Sequence, residues 1–296
     1  MTQITLLDGG MGQELVHRAG DTPTALWSTQ VMVDHPGMVE GVHRDFFAAG
    51  ATVATTNTYA IHHDRLEGTG LENQFQELHD RAVAEALAAR AAHGSGRIAG
   101  SIGPLRASYR PDLHPGAEVA VPLFSEIAQR IAPKCDLLIC ETVASVSHAR
   151  DVLKAAKQTG LPVWLACTVS DQDGTQLRSG EPLGDLRNVV SEADALLINC
   201  SAPEAVTQAL PLIAQFGLPY GGYANGFVQI SQDFLKAKPT VDSLEIRKDM
   251  GPRAYAGYVM EWVAAGATIV GGCCEVSPAH IAEIKHRLTA AGYEVV

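Results

Sequence analysis

Three of the six cysteines are placed where they can hold a metal ion together. Cys273 and Cys274 are adjacent and follow Gly271 and Gly272, which give the backbone freedom to turn both thiols to one side. Cys200 comes at the end of a separate apolar run. Three cysteine ligands can bind Zn²⁺ and leave its fourth tetrahedral position to a substrate, as in a catalytic zinc site. The pattern therefore predicts that Cys200, Cys273 and Cys274 bind zinc.

Other interpretations of the thiols and imidazoles stay open. Adjacent cysteines are a less common ligand spacing than C-x₂-C, so they also fit two buried thiols that cap a strand. His62, His63 and His280 are candidate extra ligands. His280 falls in the first turn of a predicted helix, where a capping or solvent-exposed histidine is the more frequent case. Cys140 and Cys167 lie inside apolar runs and are expected to be packing residues.

Eight short apolar runs must position these side chains. Continuous apolar runs are typical of parallel strands that are buried on both faces. The runs occupy residues 4–7, 52–56, 97–101, 136–140, 163–168, 195–199, 219–223 and 268–271. Apolar residues at helical spacing fill the gaps between them, and eight β-then-α units close most naturally into a (β/α)₈ barrel. We therefore expect one α/β domain, a TIM barrel over residues 1–296.

A doubly wound open sheet is the main alternative architecture. Such a sheet usually carries a G-x-G-x-x-G turn for a dinucleotide after its first strand. Here Gly10 and Gly12 are followed by Leu15 at the place of the third glycine. The sequence therefore favours the barrel and argues against a dinucleotide cofactor.

In a barrel, the side chains at the carboxyl ends of the strands converge on one site. Polar groups and thiols follow six of the predicted strands, at Asp8-Gly9-Gly10, Thr56 to Tyr59, Gly100 to Pro104, Glu141, Asn199-Cys200 and Gly272 to Cys274. The three candidate zinc ligands thus fall on the same rim. The irregular stretches 105–121 and 227–252 follow strands three and seven on that face, where long loops bind or gate substrates, although mobile solvent loops fit equally well.

Composition and charge limit the class of partner. The chain has 22 Lys+Arg against 33 Asp+Glu, a net charge of −11, and no clustered basic surface for a nucleic acid. No apolar run approaches the ~20 residues that cross a bilayer. The first residues lack the basic start and apolar centre of a signal peptide. We expect a cytoplasmic protein that acts on small molecules, and the sequence does not predict its oligomeric state.

Taken together, these motifs resemble the homocysteine S-methyltransferase family, zinc-dependent enzymes that include the betaine–homocysteine and S-methylmethionine–homocysteine methyltransferases. The resemblance spans nearly the whole chain. It rests on Asp8-Gly9-Gly10-Met11-Gly12, Gly50-Ala51, Thr55-Thr56-Asn57-Thr58-Tyr59, Gly100-Ser101-Ile102-Gly103-Pro104, Glu141-Thr142, Asn199-Cys200, Gly271-Gly272-Cys273-Cys274 and Pro278-Ala279-His280-Ile281.

The resemblance implies a (β/α)₈ barrel that transfers a methyl group from a small onium donor to the thiol of homocysteine, giving methionine. It implies that Cys200, Cys273 and Cys274 hold the zinc ion and that Glu141 meets the amino group of homocysteine. The other expected substrate contacts are Asp8, Gly9, Gly10 and Asn199.

The methyl donor is less defined. Sulfonium and quaternary ammonium groups are suitable donors, and Trp27 or Tyr59 could face the onium charge, with Asn225 as a further contact. Many members have glycine in place of Glu275 and proline in place of Ala224, so the rim near the donor is expected to differ here. The length of the chain favours S-methylmethionine, while S-adenosylmethionine and betaine stay open.

Two rival functions keep the barrel. The first is a non-catalytic zinc-binding or thiol-sensing protein, against which Asp8 and Glu141 argue, because a metal store has no use for an amino-acid pocket. The second is a lyase or aldolase with a phosphate site at Gly221-Gly222 and Gly271-Gly272. The predicted strands carry no lysine for a Schiff base, which argues against that chemistry.

Overall fold

The computed structural model describes residues 2–20, 24, 26–230, 235 and 244–296. Its strands are β1 (Gln3–Leu6), β2 (Val53–Thr55), β3 (Arg97–Ile102), β4 (Leu137–Val143), β5 (Val163–Cys167), β6 (Ala195–Asn199), β7 (Tyr220–Tyr223), β8 (Ile269–Val270) and β9 (Glu294–Val295). Its α-helices are α1 (Met11–Ala19), α2 (Ser28–Asp34), α3 (Met38–Ala49), α4 (His63–Leu66), α5 (Phe75–His93), α6 (Ala117–Ile131), α7 (Val146–Ala156), α8 (Pro203–Ile213), α9 (Pro252–Ala264) and α10 (Pro278–Ala290).

The strands form one parallel sheet in the order β2-β3-β4-β5-β6-β7-β8-β1-β9. A parallel bridge between Leu7 and Val53 joins the β1 end to β2 and closes the sheet on itself. The predicted α/β barrel is therefore confirmed. Strand β9 extends the expected pattern, since it adds to β1 through Gln3 and Glu294 outside the closed ring.

The eight predicted strands are all present, and two details of the prediction are wrong. The connection between β5 and β6 contains short 3₁₀ turns in place of an α-helix, in a stretch that Gly174, Gly180 and Gly184 interrupt. The loop predicted over 105–121 ends early, because α6 begins at Ala117 and accommodates a proline in its second turn. Of the second predicted loop, 227–252, residues 231–234 and 236–243 lie outside the described residues.

The core has two layers because side chains alternate along each strand. On β4, Leu137 and Ile139 belong to a small cluster inside the barrel, whereas Leu138 and Cys140 pack in the large cluster beneath the helices. Cys140 and Cys167 are fully buried, in agreement with their predicted packing role. Polar side chains replace the inner apolar layer where the strands end, so the carboxyl end of the barrel is left for a site.

The helices of the described residues include none that is both long and apolar enough to cross a membrane.

Candidate active site

A cavity of about 280 Å³ lies at the carboxyl ends of the strands. Its lining contains every site residue predicted from the sequence except Asn199 and Asn225, namely Asp8, Gly9, Gly10, Trp27, Tyr59, Glu141, Cys200, Cys273 and Cys274. We call Asp8, Glu141 and the three cysteines the floor of the cavity. The fold thus brings together side chains that are up to 266 positions apart, from Asp8 to Cys274.

The three cysteines of the floor come from the ends of two strands. Cys200 follows β6, and Cys273 and Cys274 follow β8. Their sulfur atoms all lie within 4.8 Å of one another, so the group can hold a metal ion. The sulfurs of Cys200 and Cys273 are in disulfide contact and Cys274 is a free thiol, so one ion can use all three only when the pair is reduced. Desolvation raises the pKa of the Cys274 thiol to about 12, which keeps it protonated at neutral pH without a metal.

Cys200 is held in a backbone conformation that non-glycine residues rarely adopt. Its φ is 48°, in the left-handed region, and such residues persist where their surroundings hold them. The Cys200 carbonyl accepts hydrogen bonds from Thr168 Oγ1 at 3.2 Å and from Arg178 Nη2 at 3.3 Å. Thr142 Oγ1 donates to Cys200 Sγ at 3.5 Å. Side chains from two neighbouring strand ends therefore fix the direction of this sulfur.

Arg178 is part of a buried ion pair that the sequence did not reveal. It forms a bidentate contact with Asp171, at 2.9 Å and 2.8 Å, and these side chains are 11% and 4% exposed. The Asp171 carboxylate also accepts hydrogen bonds from the backbone nitrogens of Ala202 at 2.9 Å and Ile230 at 3.0 Å. The Arg178 guanidinium lies 5.2 Å from the centre of the Tyr109 ring, which lines the cavity. One pair thereby joins the loops that follow β3, β5, β6 and β7.

Close backbone approaches explain the glycines beside the cysteine pair. A Cβ atom on Gly10 would lie 2.6 Å from the Cys273 carbonyl oxygen, and one on Gly272 would lie 2.0 Å from Val276. The Cys273 nitrogen donates to the Ala224 carbonyl at 2.9 Å. Ala224 therefore supports the cysteine loop through its backbone, which an alanine or a proline can equally provide.

The two carboxylates of the floor are buried and already hydrogen-bonded. Asp8 accepts from the Thr55 nitrogen at 2.7 Å and from Thr55 Oγ1 at 2.8 Å. Glu141 accepts from Ser101 Oγ at 2.5 Å and from the Tyr223 hydroxyl at 3.1 Å. Desolvation raises the pKa of Asp8 to about 7 and also raises the pKa of Glu141, and the charge of Glu141 adds to the shift of Asp8. A ligand cation in this cavity would stabilise the ionised form of both.

Asn199 lies behind the cavity wall and supports Glu141 indirectly. The register between β4 and β5 shifts between Cys140 and Val143, and Thr142 has a φ of 57°. Asn199 Oδ1 accepts from the Thr142 nitrogen at 3.0 Å, and its Nδ2 donates to Thr142 Oγ1 at 3.3 Å. Such irregularities commonly re-aim a side chain next to a site. The buried asparagine thus pins the bend at which Glu141 enters the cavity.

Asn225 and the three candidate histidines do not lie with the three cysteines that can hold a metal. Asn225 is buried, and its Oδ1 accepts from the Phe227 nitrogen at 3.1 Å. His280 caps α10 with Ser277, which is the capping role given above as the alternative to metal binding. His62 contacts the Tyr59 carbonyl at 3.1 Å, and His63 contacts Glu126 at 3.0 Å. Among the described residues, the three cysteines are the one group of this kind that can hold a metal.

Trp27 and Tyr59 form an aromatic wall of the cavity. Their rings meet edge to face with centres 6.1 Å apart. The Trp27 Nε1 donates to Gln13 Oε1 at 2.8 Å, and Gln13 Nε2 donates to Glu275 Oε1 at 2.6 Å. Glu275, the residue at which many relatives are expected to carry glycine, therefore orients Trp27 through Gln13. The sequence held no signal for this relay, because its members are 14 and 262 positions apart.

Comparison with known proteins gives a consistent result. A family model described as homocysteine S-methyltransferase matches residues 5–288. The homocysteine S-methyltransferase of Escherichia coli (strain K12) is 32% identical, over 96% of this chain and 95% of that protein. Betaine–homocysteine S-methyltransferase 1 of Danio rerio is 26% identical, over 97% of this chain and 74% of that protein. The metallated form of the homocysteine methyltransferase MmuM from Escherichia coli superposes with a TM-score of 0.80 at 30% identity, covering 96% of each chain. The chain belongs to the homocysteine S-methyltransferase family.

Proposed function

We propose that this chain, as one barrel domain over residues 1–296, transfers a methyl group from a small onium donor to the homocysteine thiol and releases methionine. The observation that carries the proposal is the floor of the cavity. Three cysteine sulfurs within 4.8 Å of one another share one cavity with two buried carboxylates. A metal store or thiol sensor has no use for the carboxylates, whereas an enzyme that must bind an amino acid beside a metal needs both.

We assign zinc to Cys200, Cys273 and Cys274. Zinc–sulfur bonds of about 2.3 Å in a tetrahedron place the sulfurs about 3.8 Å apart, so this donor set fits the ion after small side-chain movements. When bound, zinc keeps a coordinated thiol in its thiolate form at neutral pH and so makes it nucleophilic. A reducing cytoplasm, where we expect the protein, would keep Cys200 and Cys273 as separate thiols.

Asp8 and Glu141 bind the homocysteine ammonium group in this proposal. Each already has hydrogen-bond donors that fix its orientation. Burial favours the protonated form of both carboxyl groups, and the positive charge of the ligand stabilises their ionised form. Gly9 and Gly10 keep the adjacent turn narrow, since a Cβ on Gly9 would lie 2.1 Å from the Val276 carbonyl oxygen. Asn199 acts as a positioning residue through Thr142, so we no longer expect it to touch the substrate.

Trp27 and Tyr59 face the onium group of the methyl donor. An aromatic ring close to a cation stabilises it by ~0.5–2 kcal/mol. The homocysteine sulfur attacks the methyl carbon, the bond from this carbon to the donor sulfur or nitrogen breaks, and the electron pair leaves with the neutral leaving group. With both substrates held in line, the chain contributes chiefly orientation. S-methylmethionine is our first choice of donor. Asn225 does not line the cavity and acts as a positioning residue, because its side chain accepts a hydrogen bond from the Phe227 backbone.

A donor panel tests the proposal. Zinc-loaded protein is incubated with homocysteine and, in turn, with S-methylmethionine, S-adenosylmethionine or betaine, and the methionine formed is measured. We expect methionine with S-methylmethionine only when homocysteine and zinc are both present. Zinc binding without affinity for homocysteine, and without methionine from any donor, would establish the non-catalytic alternative.

A further inference from the structure

Four charged side chains at the open end of the cavity have no part in the function proposed so far. Asp64, Arg65 and Glu67 come from the segment after β2, and Arg106 comes from the loop after β3, and all four line the cavity. We call these four residues the mouth. The Arg106 side chain is 49% exposed, whereas Asp8, Glu141 and Cys200 of the floor are buried.

Arg106 is held at the mouth by its backbone. Its φ of 65° is in the left-handed region, and its nitrogen donates to Asp64 Oδ2 at 2.6 Å. The same oxygen also forms an ion pair with Arg106 Nε at 3.6 Å, a distance too long for a hydrogen bond. Asp64 therefore accepts its hydrogen bond from the backbone of Arg106, and this bond fixes the loop. The N–H groups of the Arg106 guanidinium are left to donate to a ligand.

The loop that carries Arg106 is also fastened to the aromatic wall on both sides. Arg65 Nη2 donates to the Pro104 carbonyl at 2.9 Å, and its guanidinium carbon lies 5.6 Å from the centre of the Tyr59 ring. The Tyr59 hydroxyl hydrogen-bonds with Ser108 Oγ at 2.7 Å. Arg106 lies midway between Pro104 and Ser108, so it stays next to the wall that faces the onium group.

We infer that Arg106 binds the carboxylate of the methyl donor. Guanidinium and carboxylate match in geometry and charge, and Arg65 adds a second positive charge beside the same wall. This inference rests on the proposed function and deepens it, because it assigns a residue of this chain to the donor carboxylate, which S-methylmethionine, S-adenosylmethionine and betaine all carry. With S-methylmethionine, the bond from homocysteine sulfur to the methyl carbon forms and the donor's sulfur–methyl bond breaks. Two methionines result, and the thiol proton goes to solvent.

The test compares two donors that differ only in the carboxylate. S-methylmethionine carries it, and dimethyl(3-aminopropyl)sulfonium lacks it but has the same sulfonium, chain and amine. We expect wild-type protein to prefer S-methylmethionine in kcat/KM, and Arg106→Gln to reduce this preference about 10- to 100-fold, as expected for a lost charge-assisted bond. Arg106→Lys should keep part of the preference, since it keeps the charge but not the fork of donors.

The matched control is Arg44→Gln, since Arg44 is 53% exposed and pairs with Glu40 on α3, outside the cavity lining. It should leave the donor preference as in wild type. Homocysteine affinity, measured by calorimetry, should be equal in wild type and Arg106→Gln. An unchanged preference, or an equal loss with both donors, would overturn the inference while wild-type methionine formation upholds the proposed function. Absence of methionine from every donor would overturn both.

Discussion

The floor and the mouth of the cavity hold their side chains by different means. At the floor, Asp8 comes two residues after β1, Cys200 directly follows β6, and both are buried. At the mouth, Arg106 lies on the loop after β3 and Asp64 on the short helix α4, and the Arg106 backbone nitrogen donates to the Asp64 side chain at 2.6 Å. In the proposed function, the barrel itself therefore determines where homocysteine and zinc bind, whereas a few loop contacts determine the donor. The difference predicts that floor variants abolish or weaken the common chemistry and that mouth variants alter donor choice.

Loss of a cysteine from the floor should have the largest effect. We expect the wild-type protein to hold about one zinc per chain. Cys200→Ser, Cys273→Ser and Cys274→Ser should each lose this zinc and reduce methionine formation about 1,000-fold or more, because the nucleophile is no longer activated. Metal analysis and thermal denaturation of the same samples separate loss of zinc from loss of fold. Cys135→Ser is the matched control, since Cys135 is buried just before β4, away from the carboxyl end. Full activity in any of the three variants would remove that residue from the metal site.

Glu141→Gln should have the next largest effect and leave zinc in place. Gln keeps an acceptor for Ser101 or Tyr223 but loses the charge that pairs with the ammonium group, so we expect homocysteine to bind about 10- to 150-fold more weakly. Calorimetry with the zinc-loaded protein measures this. Glu67→Gln at the exposed mouth is the control and should bind homocysteine as wild type does. A Glu141→Gln protein that loses zinc, but binds homocysteine normally once it is reloaded with zinc, would contradict the assignment of Glu141 to the ammonium group.

The same division explains what the sequence could predict. Asp8, Glu141 and Cys200 were found because a barrel turns strand ends toward one site, and apolar runs reveal where strands end. Asn199 was placed in the pocket for the same reason, but its side chain bonds with Thr142, since neighbouring residues of a strand point to opposite faces. Arg106 has no comparable signal. Its position depends on a hydrogen bond between residues 42 positions apart, and no periodicity records such contacts.

The Arg178–Asp171 pair links the floor to the loops. Its loss should therefore affect both the floor and the loops, but less than the cysteine and Glu141 substitutions affect the floor. Lysine keeps the charge of Arg178 but cannot bind Asp171 in a bidentate manner and the Cys200 carbonyl together. Because residues that orient a ligand commonly alter metal affinity 10- to 100-fold, we expect about 10-fold weaker zinc binding in Arg178→Lys. Competition with a chromophoric chelator measures it, and the absorption of the cobalt-substituted protein reports the geometry of the sulfurs.

Arg187→Lys serves as the control for that variant. Arg187 belongs to the same connection between β5 and β6, stacks over Phe216 at 4.6 Å, and donates to the Gln215 carbonyl at 3.4 Å instead of the Cys200 carbonyl. Its substitution should leave zinc affinity and the cobalt spectrum as in wild type. Equal zinc affinity and spectra in Arg178→Lys and wild type would show that the ion pair does not position Cys200.

The central claim is that homocysteine binds at the floor as a thiolate. Burial raises the pKa of Asp8 to about 7, so this carboxyl is largely protonated at pH 6.5. Homocysteine and methionine carry the same ammonium group, so the binding of either ligand should cause Asp8 to release a proton. Only homocysteine has a thiol proton to lose, and with a thiol pKa near ~8.5 it arrives protonated. Binding that releases a proton strengthens as pH rises, so homocysteine affinity should gain up to about tenfold per pH unit from its thiol between pH 6 and 7.5.

Calorimetry of the zinc-loaded protein in two buffers of different ionisation enthalpy counts these protons directly. We predict that homocysteine releases about one proton more than methionine at pH 6.5, because the contribution of Asp8 is common to both ligands and cancels. Equal proton release by the two ligands would contradict thiolate binding, and with it the activation of homocysteine by the three cysteines and their metal.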